Sequence, residues 1–142
     1  MMIEKFYENK CTGTNGGFEK YARNPVYGGC LGTCFDLAML HEEGLFKMYF
    51  SWRDRKSIAL ATSEDGVHFG EPTILLAPKA SAEGWEDDLN RPGIVHNQEG
   101  YHLWYTGQRH DGAREGTSHI FHAFSPDGVR FARTSDKPVL CP

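Results

Sequence analysis

Long apolar runs are missing from this chain. No stretch approaches the length of a bilayer-spanning helix, and Met1-Met2-Ile3-Glu4-Lys5 is not followed by the apolar core of a secretory leader. A cytoplasmic location is therefore the expectation. An excess of positive charge is missing too: 15 Lys and Arg stand against 19 Asp and Glu, a net charge of -4. An acidic surface attracts neither nucleic-acid phosphate nor anionic lipid, so no nucleic-acid or membrane partner is expected and small neutral substrates remain open. Cysteine is sparse, with Cys11, Cys30, Cys34 and Cys141 too scattered for a disulfide scaffold. Cys30 and Cys34 stand at a spacing that a zinc site can use, but no second Cys or His pair lies at finger spacing, so free thiols and no cofactor are expected. Helical periodicity is nearly absent as well.

What the chain does have is turns and aromatics. Among 142 residues, 16 are Gly, 7 are Pro and 13% are aromatic, a composition that suits short strands joined by tight turns around one core of ordinary size. Residues 1–23 read as a polar, glycine-punctuated segment without a strand pattern. After it, Arg23-Asn24-Pro25-Val26-Tyr27 reads as a short extended piece, because proline keeps its predecessor out of the α region.

From Asp36 onward the sequence repeats. Residues 41–52 lie over 96–107 without a gap at an offset of 55, and Ser63-Glu64-Asp65-Gly66-Val67-His68-Phe69 lies over Ser125-Pro126-Asp127-Gly128-Val129-Arg130-Phe131 at an offset of 62. The second copy thus carries seven extra residues, within Gln108 to Thr117. Each copy holds four extended pieces: 35–40, 46–52, 57–63 and 72–77 in the first, and 91–95, 101–106, 118–125 and 137–141 in the second. Phe46, Met48, Phe50 and Trp52 alternate with Lys47, Tyr49 and Ser51, the period of a strand covered on both faces. The Asp-Gly pairs at 65 and 127 supply the positive φ that a tight hairpin turn needs.

Four antiparallel strands repeated at about sixty residues are the unit of a β-propeller. The expected fold is therefore all-β, with 1–23 as a leading segment, 24–80 as a first blade and 81–142 as a second. Two blades leave sheet faces and edges uncovered, and closure requires further blades from a longer chain or from self-association.

Asn24-Pro25-Val26, Phe35-Asp36, Phe46-Lys47-Met48-Tyr49-Phe50-Ser51 and Ile58-Ala59-Leu60-Ala61-Thr62-Ser63-Glu64-Asp65-Gly66 resemble the five-bladed propeller glycoside hydrolases of families 43 and 32. The mannoside phosphorylases of family 130 are a more distant likeness. The resemblance covers 24–142. It implies a glycosidase acting on arabinosyl, xylosyl or fructosyl bonds of a small oligosaccharide or a polysaccharide side chain. It also implies that Asp36, at the start of a first innermost strand, serves as general base or nucleophile in a central funnel. The family's acid catalyst, a Glu from a later blade, has no matching position here and is expected beyond Pro142. The residue aligned with Asp36 in the second copy is Arg91, which departs from the family pattern.

Each candidate has a plainer alternative. Asp36 opens the apolar run Cys34-Phe35-Asp36-Leu37-Ala38-Met39-Leu40, where a carboxylate needs either turn amides or a task. Antiparallel pairing brings Trp52 and Arg53 near it; Trp52 is a sugar platform or the end of a core stripe, and Arg53 lines the funnel or joins a surface ion cluster with Asp54 and Arg55. Arg91, Asn90 and Gln108 would hold substrate, Gln108 from the start of the overhanging insertion. Asp88 is a possible second carboxylate, although Glu86-Asp87-Asp88 also reads as a solvated acidic loop. Trp85 and Trp104 fit the core. His41 and His96 recur beside equivalent turns and read as structural, while His119 and His122, three apart on a strand, point to opposite faces and cannot chelate together. A non-catalytic glycan-binding module would keep Trp52 and Arg91 without needing an ionised Asp36. A phosphorylase would need a phosphate site, for which Arg53, Arg91 and Arg109 are available.

Overall fold

A computed structural model describes residues 19–80, 84–109 and 117–141. Among them the chain forms two four-stranded antiparallel sheets and no helix long and apolar enough to cross a membrane. The first sheet runs β1 (Cys34–Glu42), β2 (Leu45–Trp52), β3 (Ser57–Ser63), β4 (Thr73–Leu76) in spatial order. The second runs β5 (Asp88–Asn97), β6 (Gly100–Gln108), β7 (Ser118–Ser125), β8 (Ala132–Arg133) in the same order. Each is a simple meander, the arrangement of a propeller blade.

Three details differ from the sequence pattern. Pro25-Val26-Tyr27 is not a strand; Tyr27 instead folds over the first sheet, its ring meeting Phe50 and Phe69 edge-on at 5.5 and 5.8 Å while its hydroxyl donates to the Gly70 carbonyl. The last strand of the second sheet is Ala132–Arg133, paired with Phe124 and Ala123, rather than 137–141. The latter segment contains Pro138, which has no N–H to give a ladder, and it touches β7 through one bridge from Leu140 to Ile120. The Asp-Gly pairs do not close two-residue hairpins either, because β3 and β4 are separated by residues 64–72.

Instead the two Asp-Gly pairs build the same polar turn twice. Ser63 Oγ donates to Asp65 Oδ1 and accepts the Gly66 N–H, and Asp65 Oδ1 caps the N–H groups of Val67 and His68. Ser125 and Asp127 repeat this with Gly128, Val129 and Arg130. Gly66 and Gly128 have φ of 73° and 74°, and a Cβ at either would press on the matching ring, Phe46 or Tyr101.

The sheets pack face to face around Ile58, Leu76, Leu89, Leu103, Tyr105, Phe121 and Ala123. Burying each large apolar side chain in this layer contributes about 1.5–3 kcal/mol. Strand β5 contacts β1, β2 and β3, so the two innermost strands lie side by side. Polar bonds pin the joint at several points. The Tyr49 hydroxyl crosses to the Gly128 carbonyl, the Leu89 N–H to the Lys56 carbonyl, and Arg133 Nη2, whose guanidinium also grips Glu86, to the Ala77 carbonyl.

At the far ends of the innermost strands Glu42, Lys47, His96 and Tyr101 form one cluster. Lys47 Nζ donates to Glu42 Oε2 at 3.0 Å and to the Tyr101 hydroxyl at 2.9 Å, that hydroxyl donates to Glu42 Oε2, and His96 Nδ1 lies 2.6 Å from Glu42 Oε1. Burial opposes charge on both Glu42 and Lys47, yet these bonds outweigh it, holding Glu42 below the usual carboxylate range and Lys47 above the usual ammonium range. His96 stacks on Tyr101 at 3.9 Å just as His41 stacks on Phe46 at 4.1 Å, so both histidines are structural.

Candidate functional site

Both innermost strands carry a β-bulge near their start, between Phe35 and Ala38 in β1 and between Asn90 and Gly93 in β5. In each bulge one non-glycine residue takes a left-handed conformation: Asp36 with φ 48° and Arg91 with φ 53°. These are the residues that the repeat superposes. Bulges of this kind bend a strand and re-aim a side chain. The conformation is rare for Arg, and rarer before a proline, which confines its predecessor to the extended region. Arg91 is held there by its own N–H, which donates to Ser51 Oγ on β2 at 2.8 Å.

The result brings the two aligned residues together. Arg91 Nε lies 3.6 Å from Asp36 Oδ2, with the side chains 61% and 38% exposed. A pair this open to water adds at most about 1 kcal/mol of stability, so the twin bulges are not explained by the ion pair they permit. Arg53 is held at the end of β2: its N–H donates to the Thr33 carbonyl and its guanidinium lies over the ring of Phe35, the residue before Asp36, at 4.5 Å. Asp54 turns away from this group and caps the Thr33 N–H.

Trp52 is placed differently. Its indole N–H donates to the Leu31 carbonyl at 2.7 Å, its ring packs with Phe50 in the cluster of Met48, Phe50, Ala59 and Ala61, and the Arg55 guanidinium lies 5.5 Å from it. Trp52 therefore lies on the face of β2 opposite Ser51, the residue that Arg91 approaches. That same face borders a groove of about 340 Å³ lined by Tyr27, Cys34, Phe35, Leu37, Met48 and Phe50, among others. The Cys34 thiol beside it is pushed up by burial and then by the Asp54 charge.

Asn90 and Gln108 join in one chain. Asn90 Nδ2 donates to Gln108 Oε1 at 2.7 Å and Gln108 Nε2 donates to Ser118 Oγ at 3.2 Å, fixing both amides next to Arg91. The expected acidic loop is not solvated: Glu86 is 5% and Asp88 9% exposed. Glu86 is drawn in by Tyr105 and Arg133, and Asp88 opens β5 opposite Gln108. His110, Asp111 and the rest of the insertion through 116 lie outside the described residues, as does Cys11. Trp85 packs against the inter-sheet core, whereas Trp104 is 39% exposed on the far face of the second sheet. Its position alternates away from the core residues Leu103 and Tyr105.

That far face carries a group without a counterpart in the sequence reading. His102 Nδ1 lies 3.2 Å from His122 Nε2, and the Thr134 hydroxyl, which donates to the His122 carbonyl, meets His122 Nδ1 at 3.1 Å. Burial and then the neighbouring His102 hold His122 below the usual imidazole range. Among the described residues no three His, Cys, Asp or Glu side chains group as a metal site.

Sequence pattern could not single out Ser51, since only the assembled joint reveals that it anchors Arg91. Phe35 likewise becomes part of the site through the stacked Arg53.

No protein-family model matches the chain, and no curated protein matches it in sequence. Solved structures do match in fold. A glycosyl hydrolase from Bacteroides ovatus superposes with a TM-score of 0.58 at 18% identity over 70% of this chain and 30% of its own. A thermostable family-43 glycoside hydrolase gives 0.60 at 18% identity over 77% of this chain and 34% of its own. A family 117 glycoside hydrolase from the marine bacterium Zobellia galactanivorans gives 0.58 at 21% identity over 72% and 38%. The chain thus shares the fold of these enzymes and spans about a third of the length of each.

Proposed function

We propose that the two sheets are two blades of a five-bladed propeller that cleaves glycosidic bonds, with Asp36 as the general base or nucleophile. The observation that carries this reading is the pair of matched bulges, which aim Asp36 and Arg91 at one another from the starts of adjacent innermost strands. The likeness of fold to glycoside hydrolases of families 43 and 117 supports it.

Asp36 is partly exposed and paired with a guanidinium, an environment that leaves its carboxylate open to substrate. Arg91 orients that carboxylate, the Asn90–Gln108 pair stiffens the strand beside it, and Arg53 on Phe35 lines the approach. Glycoside cleavage needs a second carboxyl group, protonated, to release the leaving alcohol. Glu42, Glu86, Asp65 and Asp127 are each committed to structural bonds. The acid in this proposal comes from outside the two sheets. The sugar is of the arabinosyl, xylosyl or fructosyl class.

A leaving group that departs unprotonated separates the two roles. With 2,4-dinitrophenyl glycosides the acid is not needed, so the chain should release dinitrophenolate slowly, and Asp36→Gly, which keeps the left-handed backbone, should abolish release. Release that is unchanged in Asp36→Gly, or absent for every sugar of this class, would overturn the reading. The commitment of Glu42, Glu86, Asp65 and Asp127 to structural bonds also favours a second reading, a glycan-binding module without turnover, in which Asp36→Asn leaves binding intact.

A further inference from the structure

We infer that the glycan taken at Asp36 is anionic, carrying a carboxylate or sulfate group that Arg91 and Arg53 receive; this rests on the sugar-site reading above. Two guanidiniums lean on two consecutive residues, Arg53 on the ring of Phe35 and Arg91 on the carboxylate of Asp36. Among the described residues neither guanidinium donates a side-chain hydrogen bond: Arg91 Nε stands 3.6 Å from Asp36, an ion pair too long for one, and Arg53 lies on its ring. Both thus keep donors for a ligand, in a chain whose net charge is -4.

Arg91 also sits where any residue but glycine is costly to hold. Its left-handed backbone precedes Pro92, is clamped by Ser51 Oγ, and lies at the position where the first copy of the repeat presents Asp36. Strain that the surrounding structure over-determines is a pointer to function. A planar guanidinium offering paired donors matches carboxylate and sulfate oxygens better than it matches a sugar hydroxyl. Its ring-stacked neighbour, Arg53, is ordered without losing its donors. A neutral sugar would leave these donors to water, whereas an anionic group uses them and offsets the repulsion from Asp36.

The test is calorimetric titration of the chain with size-matched oligosaccharides: neutral xylo- and arabino-oligosaccharides, an oligogalacturonate, and a sulfated galactan oligosaccharide. Acidic oligosaccharides should bind at least tenfold tighter than neutral ones. Arg91→Gly, which relieves the backbone strain while removing the charge, should erase that preference, leaving acidic and neutral oligosaccharides at equal affinity. Asp36→Asn should tighten acidic binding, since it removes the carboxylate that Arg91 faces. The oligogalacturonate and sulfated arms tell which anion is carried. Inorganic phosphate that binds as tightly as the acidic glycans would mean a free anion and overturn the proposal. Equal affinity for neutral and acidic oligosaccharides would overturn it while leaving the sugar site standing, and failure to bind any oligosaccharide would overturn both.

Discussion

Arg91 meets Asp36 across the joint between two copies of one repeat, at the position that each copy reserves for a left-handed residue. The same local distortion thus delivers opposite charges from neighbouring strands.

The first prediction concerns that distortion. Glycine and asparagine accept positive φ, whereas a β-branched residue does not. Arg91→Val should therefore lower unfolding free energy by about 1–3 kcal/mol, while Arg91→Gly should be neutral or stabilising. Urea unfolding monitored by tryptophan fluorescence compares the two; equal losses would mean that the charge, not the backbone, sets the cost.

Ser51 carries the second. It is fully buried and its hydroxyl is the acceptor for the Arg91 N–H. Ser51→Ala leaves that N–H without an acceptor, at a cost of about 1–3 kcal/mol. Amide hydrogen exchange at Arg91 should accelerate more than exchange in β3, and a uniform acceleration would argue against a local role.

The third is a pH window. Glu42 is held below its ordinary range, so its contribution is present above the usual carboxylate pKa and is lost as pH falls through its lowered folded value. Lys47 is held above its ordinary range, so its contribution is present below the usual ammonium pKa and is lost as pH rises through its raised folded value. Glu42→Gln should flatten the acid limb of the stability profile, and Lys47→Met the alkaline limb. Thermal unfolding across pH measures both, and an unaltered acid limb in Glu42→Gln would refute the assignment.

The paired glycines give the fourth. Gly66→Ala and Gly128→Ala both introduce a Cβ at positive φ, against Phe46 at 3.3 Å and Tyr101 at 3.0 Å. Each should cost about 1 kcal/mol or more. Gly128→Ala should cost more, because Tyr101 is tethered by Glu42 and Lys47 and cannot yield. Denaturant midpoints of the two variants test the order.

Much of this arrangement was legible in the chain itself. The alternation from Phe46 to Trp52, the Ser-x-Asp-Gly turns and the offset of 55 identified two four-stranded units, because these features are local and periodic. Alignment also paired Asp36 with Arg91. What periodicity could not convey was the bulge, which breaks the period by one residue, and so the meeting of the aligned side chains. The burial of Glu86 and Asp88 was hidden for a related reason: three consecutive acids look solvated until Tyr105 and Arg133, far along the chain, supply the partners. Trp104 was misjudged because an aromatic on a strand covered on one side only is half exposed.

The two sheets stack by unlike faces. The face of the first that enters the joint bears Lys47, Tyr49 and Ser51, and the repeat matches these with His102, Trp104 and Thr106, which lie on the outward face of the second. Conversely the joint-facing Tyr101, Leu103 and Tyr105 match Phe46, Met48 and Phe50 on the outward face of the first. The contact is therefore heterologous and directional: a further sheet arriving at either end meets a different chemistry. On the first sheet that outward face is already covered, with Tyr27 and Phe69 lying over Met48 and Phe50, whereas on the second it leaves Trp104 open beside His102 and His122, so a newcomer finds bare aromatic surface at one end only.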